Sequence, residues 1–114
     1  MTCTTASESE IQRAILDYLA ARHIFAIRVN SGTTLASYKG KTRAIHMAAP
    51  GTADILAFPH IADGTDWHQP LWLEVKSAAG KQSDLQKSFQ TQVENEGHRY
   101  CVVRSLQDVE EALR

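Results

Sequence analysis

Three charged residues near the middle of the chain have the types and spacing for hydrolytic chemistry. Asp54 heads the apolar run 53–58, and Glu74 and Lys76 alternate with apolar residues in the run 71–77. Because successive side chains of a strand point to opposite faces, Glu74 and Lys76 share one face. Charges are costly to bury without partners, so a plain core strand is disfavoured. Two carboxylates and a lysine on the edges of two strands predict a Mg²⁺ or Mn²⁺ site with a charged helper.

The same residues resemble the signature of the PD-(D/E)xK nuclease superfamily, in which an Asp is followed one strand later by Glu-x-Lys. Pro50 does not directly precede Asp54, which departs from the pattern in the superfamily's name. The chain is most similar to the VRR-NUC (virus-type replication-repair nuclease) domain of that superfamily. Four segments occur in that family's order and, with the flanking helices, cover nearly the whole chain: Arg28–Gly32, Pro50–Leu56, Glu74–Ser77 and Ser83–Gln86.

This resemblance implies a role for each central residue. Asp54 and Glu74 would bind the metal ion directly, with the backbone carbonyl of Val75 as a third oxygen. Lys76 would orient the attacking water and lower its pKa, or hold the attacked phosphate. The metal ion would neutralise the phosphate, activate the water and stabilise the leaving oxygen. The alternative is that Glu74 and Lys76 form an exposed ion pair on an edge strand, worth at most about 1 kcal/mol.

Glu10 and Gln86 each have two interpretations. The resemblance implies that Glu10, on the first helix, is a further metal ligand and that Gln86 is a secondary catalytic residue positioning water or phosphate. Each also stands three residues after a serine, Ser7 or Ser83, which is the spacing of a helix capping box. For Glu10 the two roles compete, because a carboxylate folded back to cap the helix cannot reach an ion.

Four residues are candidates for contacts with the DNA backbone, namely Asn30, Lys39, Lys41 and Arg43. Asn30 opens a turn, and the three basic residues surround the tip of a predicted hairpin. A solvated hairpin tip predicts the same residues, so both interpretations stay open. The whole chain has 13 acidic and 12 basic residues and a net charge of −1, without the basic excess of most DNA-binding proteins. A metal nuclease, however, neutralises its central acids with cations.

Hydrophobic periodicity and turn residues predict the order α-β-β-β-β-β-α-β-α. The inner face of the second helix is expected to carry Leu85, Phe89 and Val93, and that of the last helix Leu106, Val109 and Leu113. This order predicts an α/β fold with a mixed β-sheet flanked by helices, and the resemblance implies a restriction-endonuclease-like core. The expected segments are a disordered tail over 1–6, a helix over 8–22, strands over 24–29, 34–38, 42–47, 53–58 and 71–77, a helix from Ser83 to Gly97, a strand over 100–103 and a helix over 106–113.

The length of 114 residues predicts a single domain over 7–114. The chain has no apolar run of about 18 residues and no signal sequence, so a soluble, cytoplasmic protein with free thiols is expected. The resemblance implies a metal-dependent, structure-specific DNA endonuclease of bacterial or phage origin, similar to Holliday-junction resolvases of DNA repair that work as homodimers. The alternatives are a nuclease acting on flaps or duplex ends, and a non-catalytic nucleic-acid-binding module.

Overall fold

The predicted order of helices and strands is present in a computed structural model of the chain. The structure describes residues 6–29, 33–38, 41–46, 49–60 and 69–114, with the backbone alone for 33–38 and 41–46. The elements within these ranges are α1 (Glu8–Ala21), β1 (Ala26–Arg28), β2 (Thr33–Tyr38), β3 (Lys41–His46), β4 (Ile55–Ala57), β5 (Leu71–Val75), α2 (Asp84–Asn95), β6 (Arg99–Val103) and α3 (Leu106–Ala112).

Four strands form one mixed sheet in the order β1-β4-β5-β6. Strand β4 is antiparallel to both β1 and β5, so the two strands that carry the charged motif are neighbours. Strands β5 and β6 are parallel, with Glu74 opposite Val102, and α2 is the crossover between them. A parallel pair needs such a connection because a tight turn cannot join it. Strands β2 and β3 form a separate antiparallel hairpin, as predicted.

Helices cover both faces of the sheet. On one face, α1 and α3 pack on the alternate residues of the central strands, including Leu71, Leu73 and Val75. On the other face, α2 packs through Phe89 and Val93 on a smaller cluster that contains Trp72, Tyr100 and Val102. This alternation of side chains along β5 places Trp72 and Glu74 on the α2 face. The α/β fold with a mixed sheet flanked by helices is therefore confirmed.

Several predicted boundaries and buried faces differ from the structure. The strands expected over 24–29, 53–58 and 71–77 are shorter, because their ends pass into loops. Leu85 is 58% exposed and Leu106 is 41% exposed, so neither belongs to the inner face of its helix. Both residues lie in the first turn of a helix, and the packing of α2 on the sheet involves Phe89 and Val93 instead.

The helix caps follow the predicted serines. Ser7 and Ser83 each accept a hydrogen bond from the backbone of the third helical residue, and Ser105 does the same for α3. Gly97 follows α2 with a φ of +80°, the left-handed conformation expected of a residue that ends a helix.

Of the helices in the described ranges, none has the length and apolar character needed to cross a membrane.

Candidate active site at the end of the central strands

Glu74 is the most unusual residue of the sheet. It lies on β5, which has hydrogen-bonded neighbours on both sides, and its side chain is 0% exposed. Among the described residues, no group donates a hydrogen bond to either carboxylate oxygen, Oε1 or Oε2. A buried, ionised carboxylate without hydrogen-bond donors lowers the stability of the fold by roughly several kcal/mol unless it is neutralised. The structure therefore excludes the alternative in which Glu74 is half of an exposed ion pair on an edge strand.

Asp54 lies beside Glu74 at the start of β4. Its Oδ2 accepts a hydrogen bond of 2.8 Å from the backbone N–H of Val75, and its backbone carbonyl accepts one of 2.7 Å from Val29. Asp54 therefore joins the ends of three neighbouring strands, β1, β4 and β5. Besides any role at an ion, its carboxylate has a structural role that the sequence did not reveal. The expected role of the Val75 carbonyl stays a prediction.

A glycine brings the Asp54 loop against the first turn of α2. Gly51 has a φ of +92°, and a Cβ added to it would lie only 2.6 Å from the backbone oxygen of Leu85. A side chain at this position would thus be strained in conformation and would also collide with backbone. The Pro50-Gly51 pair of the sequence motif is explained by this close approach, which fixes where the loop enters β4.

The two carboxylates interact strongly. Burial is the largest cause that raises the pKa of the Glu74 carboxyl, to about 8, and a hydrogen bond shared with Asp54 and repulsion from its charge act in the same direction. Lys76 opposes this shift by favouring the charged carboxylate. The raised pKa favours the protonated form of Glu74 when no cation is bound, so a proton and a divalent ion would compete for this carboxylate.

Lys76 follows Glu74 on the same side of the strand, and its side chain is only 8% exposed. Its backbone N–H continues the pairing with β6 by donating to the Val103 carbonyl at 3.0 Å. A Cβ added to Gly80 would lie 3.4 Å from Cδ of Lys76 and 3.2 Å from Oε1 of Glu8. Glu8 of α1, which the sequence analysis did not select, therefore lies beside the loop after Lys76.

Glu10 lies elsewhere on the first turn of α1. It is exposed, and it lines a groove together with Ala78, Arg104 and Leu106. Its backbone N–H donates to Ser7 Oγ at 3.2 Å, which is one half of the expected capping box. In the described part of the chain, no three His, Cys, Asp or Glu side chains are grouped closely enough to hold a metal ion. The structure thus pairs Asp54 with Glu74 but does not add Glu10 to them.

Gln86 has the capping role that its spacing allows. Its Oε1 accepts a hydrogen bond of 2.8 Å from the Ser83 backbone, and its own backbone N–H donates to Ser83 Oγ at 3.2 Å. Both halves of a capping box are present, so the Gln86 carbonyl oxygen is already engaged. A catalytic role for Gln86 stays a prediction, and it would have to use the side-chain NH2 group, since the side-chain oxygen accepts from Ser83.

The expected DNA contacts cannot be placed as side chains. Asn30 and Lys39 lie outside the described residues. Lys41 and Arg43 lie on β3, opposite Tyr38 and Ala36, and only their backbone is described. Their assignment to DNA binding stays a prediction.

Arg104 is a residue that the sequence analysis missed. Its Nη1 donates to the carbonyls of Ser77 at 2.6 Å and Gly80 at 2.7 Å, and more weakly to that of Ala78 at 3.4 Å. The guanidinium thereby holds the loop that follows Lys76. In the sequence, Arg104 stands out only by its position between a strand and the capping serine Ser105. That position does not distinguish Arg104 from an ordinary surface arginine.

Comparisons with known proteins identify no relative of this chain. No protein-family model, no curated protein and no solved structure matches the chain. The resemblance to VRR-NUC domains accordingly stays a prediction based on the sequence segments.

Proposed function

We propose that the chain is a Mg²⁺- or Mn²⁺-dependent endonuclease that hydrolyses phosphodiester bonds in DNA, with the core of the PD-(D/E)xK superfamily. One observation carries the proposal: Glu74 is fully buried, neither of its carboxylate oxygens has a hydrogen-bond donor among the described residues, and Asp54 is beside it. A binding-only domain has no need for two adjacent acids at the ends of its central strands. A hard divalent cation is the ligand that two such carboxylates fit.

The residues present fit a metal ion, and each has a defined part. Asp54 and Glu74 would hold the ion, with the Val75 carbonyl as a third oxygen. The bound ion would supply charge neutralisation at the phosphate and activation of water. Lys76, largely desolvated, would keep a positive charge next to the attacked phosphate, where a low-polarity environment strengthens its effect. The Val75 N–H fixes the orientation of the Asp54 carboxylate.

The substrate and assembly extend this proposal. We propose branched DNA as the substrate and a homodimer as the active form, because two sites on a two-fold axis match a four-way junction with two-fold symmetry. Light scattering should then give about twice the chain mass of 12.6 kDa. A protein that stays monomeric at every concentration and still resolves junctions symmetrically would contradict the dimer.

The test is a cleavage assay with labelled four-way junction, flap, duplex and single-stranded DNA, in Mg²⁺, in Mn²⁺ and in chelator. Wild type should cleave only with metal, and Glu74→Gln should lose at least about 100-fold in rate, as expected when a group acting in the transition state is removed. Glu110→Gln makes the same chemical change at an exposed position of α3 and should cleave as wild type does. Cleavage in chelator would refute the metal-dependent mechanism, and binding without cleavage would favour the binding module.

A further inference from the structure

A second charged site lies on the α2 side of the loop that follows Lys76. It is a cleft of about 440 Å³, which we call the cationic cleft, lined by Lys81, Gln82, Lys87, Val102 and Arg104. Three of these five residues are cationic, and within the described part of the chain no acidic residue lines the cleft. Its charge contrasts with the net charge of −1 for the whole chain. Such a concentration of one charge in a concave surface attracts anions.

The polar groups of the cationic cleft are held in place by the fold. Lys81 lies two residues before Ser83, the N-cap of α2, whose N-terminal end favours anions, and Lys87 is the fourth residue of that helix. Gln82 Nε2 donates to both Gln90 Oε1 and the Tyr100 hydroxyl at 3.0 Å. Arg104 is fixed through Nη1 alone. Its Nε and Nη2 have no partner among the described residues, so this edge of the guanidinium is free to bind two oxygens of one anion.

The cationic cleft adjoins the candidate active site. Gly80 connects the two, since its carbonyl accepts from Arg104 at 2.7 Å and a Cβ added to it would lie 3.4 Å from Cδ of Lys76. Phosphates of one DNA strand follow one another about every 3.4 Å along the helix axis. A strand with one phosphate at Lys76 therefore presents its next phosphates to a neighbouring cationic surface.

We infer that the cationic cleft binds the backbone phosphates of the DNA strand that flank the phosphate at Lys76. The identity of the ligand rests on the proposed function, whereas the anion-binding character rests on Lys81, Lys87 and Arg104. Contacts of this kind go to phosphate oxygens, so they position the strand without reading its sequence. The hairpin of β2 and β3 is not needed for this contact.

The experiment measures binding of fluorescent four-way junction and duplex DNA by anisotropy, in chelator, over a range of salt concentrations. Every protein carries Glu74→Gln, so cleavage does not enter the measurement. Adding Lys81→Gln and Lys87→Gln should reduce the slope of log K against log salt by about 2 and weaken binding roughly ten- to a hundredfold at moderate salt. Arg104 is left intact because its removal would also release the loop carbonyls.

The matched control carries Arg13→Gln and Arg114→Gln, which remove the same charge from exposed positions outside the cationic cleft. It should keep the slope of the parent protein. An unchanged slope in the Lys81 and Lys87 variant, an equal loss in the control, or no DNA binding by the parent protein would overturn the inference. A wild-type protein that binds through the cleft but cleaves no substrate with either metal would refute the nuclease and leave the cleft standing.

Discussion

A buried carboxylate without a hydrogen-bond donor can be neutralised in two ways, by a proton or by a cation. Glu74 can be neutralised in either way, because the carboxylate of its neighbour Asp54 can share a proton with it or help it bind a cation. The proton and the metal ion therefore compete for one place. Below a pH of about 8, metal binding must displace the proton, so metal affinity should rise as the pH approaches that value.

The competition makes stability depend on pH in a defined direction. The folded-state pKa of Glu74 is raised from 4.5 to about 8, so the folded protein holds a proton that the unfolded chain has lost across that window. In chelator, the stabilising effect of this proton is complete below pH 4.5 and is lost as the pH rises to 8, by up to roughly 1.4 kcal/mol per pH unit. Glu74→Gln carries no titrating group there and should lack this dependence.

Urea unfolding of wild type and Glu74→Gln at pH 5 and pH 8.5, in chelator, measures the effect. The two proteins should be similar at pH 5, and the variant should be the more stable one at pH 8.5. The difference between them removes the contribution of titrating groups that do not interact with Glu74. Glu110→Gln should follow wild type at both pH values. A constant difference between wild type and Glu74→Gln would mean that the Glu74 pKa is not raised.

At the scale of elements, Arg104 links three parts of the fold. Its side chain holds the carbonyls of the 77–80 loop, and its backbone N–H donates to Asp108 Oδ2 at 2.8 Å in α3. The loop in turn connects β5, with Glu74 and Lys76, to α2. Arg104 is therefore a positioning residue for the end of β5, besides its place in the cationic cleft.

Removing this anchor should loosen the loop more than it destabilises the fold. Arg104→Ala should cost about 1.5 to 3 kcal/mol, the usual range for hydrogen bonds to charged groups, and should speed amide hydrogen exchange within residues 77–80. Arg99→Ala is the matched control, since it removes an arginine at the opposite end of β6, whose side chain donates to the Ala112 carbonyl. It should lower stability without changing exchange in the loop. Equal exchange in both variants would show that Arg104 does not hold the loop.

The sequence predicted the elements well because their signals are local. Serine caps, the glycine that ends α2 and the alternation along β5 each act over a few residues. It failed where long-range contacts decide. The spacing in α1 could not show that Glu8 lies beside Gly80, and the periodicity of α2 could not show that Leu85 packs its backbone against Gly51 instead of its side chain against the sheet.

At the scale of the whole molecule, metal binding and folding should be coupled, because the candidate ion site lies where three strands of the sheet end. A ligand that binds only the folded state stabilises it by about 2.7 kcal/mol at a free concentration a hundred times its Kd. For a domain of this size that corresponds to a rise in Tm of roughly 10 °C. Wild type should show this rise on addition of Mn²⁺, and a protein without the Asp54 charge should not.

Asp54 allows its structural and metal-binding roles to be separated by two substitutions. Asp54→Asn keeps an oxygen that can accept from the Val75 N–H, so in chelator at neutral pH it should melt close to or above wild type, and it should gain little from Mn²⁺. Asp54→Ala leaves that N–H without its acceptor and should lose about 1 to 3 kcal/mol in chelator. The measurement is thermal melting of the three proteins with and without Mn²⁺. If Asp54→Asn is stabilised by Mn²⁺ as strongly as wild type, Asp54 is not a ligand; if it melts as low as Asp54→Ala, the negative charge itself holds the ends of β4 and β5 together.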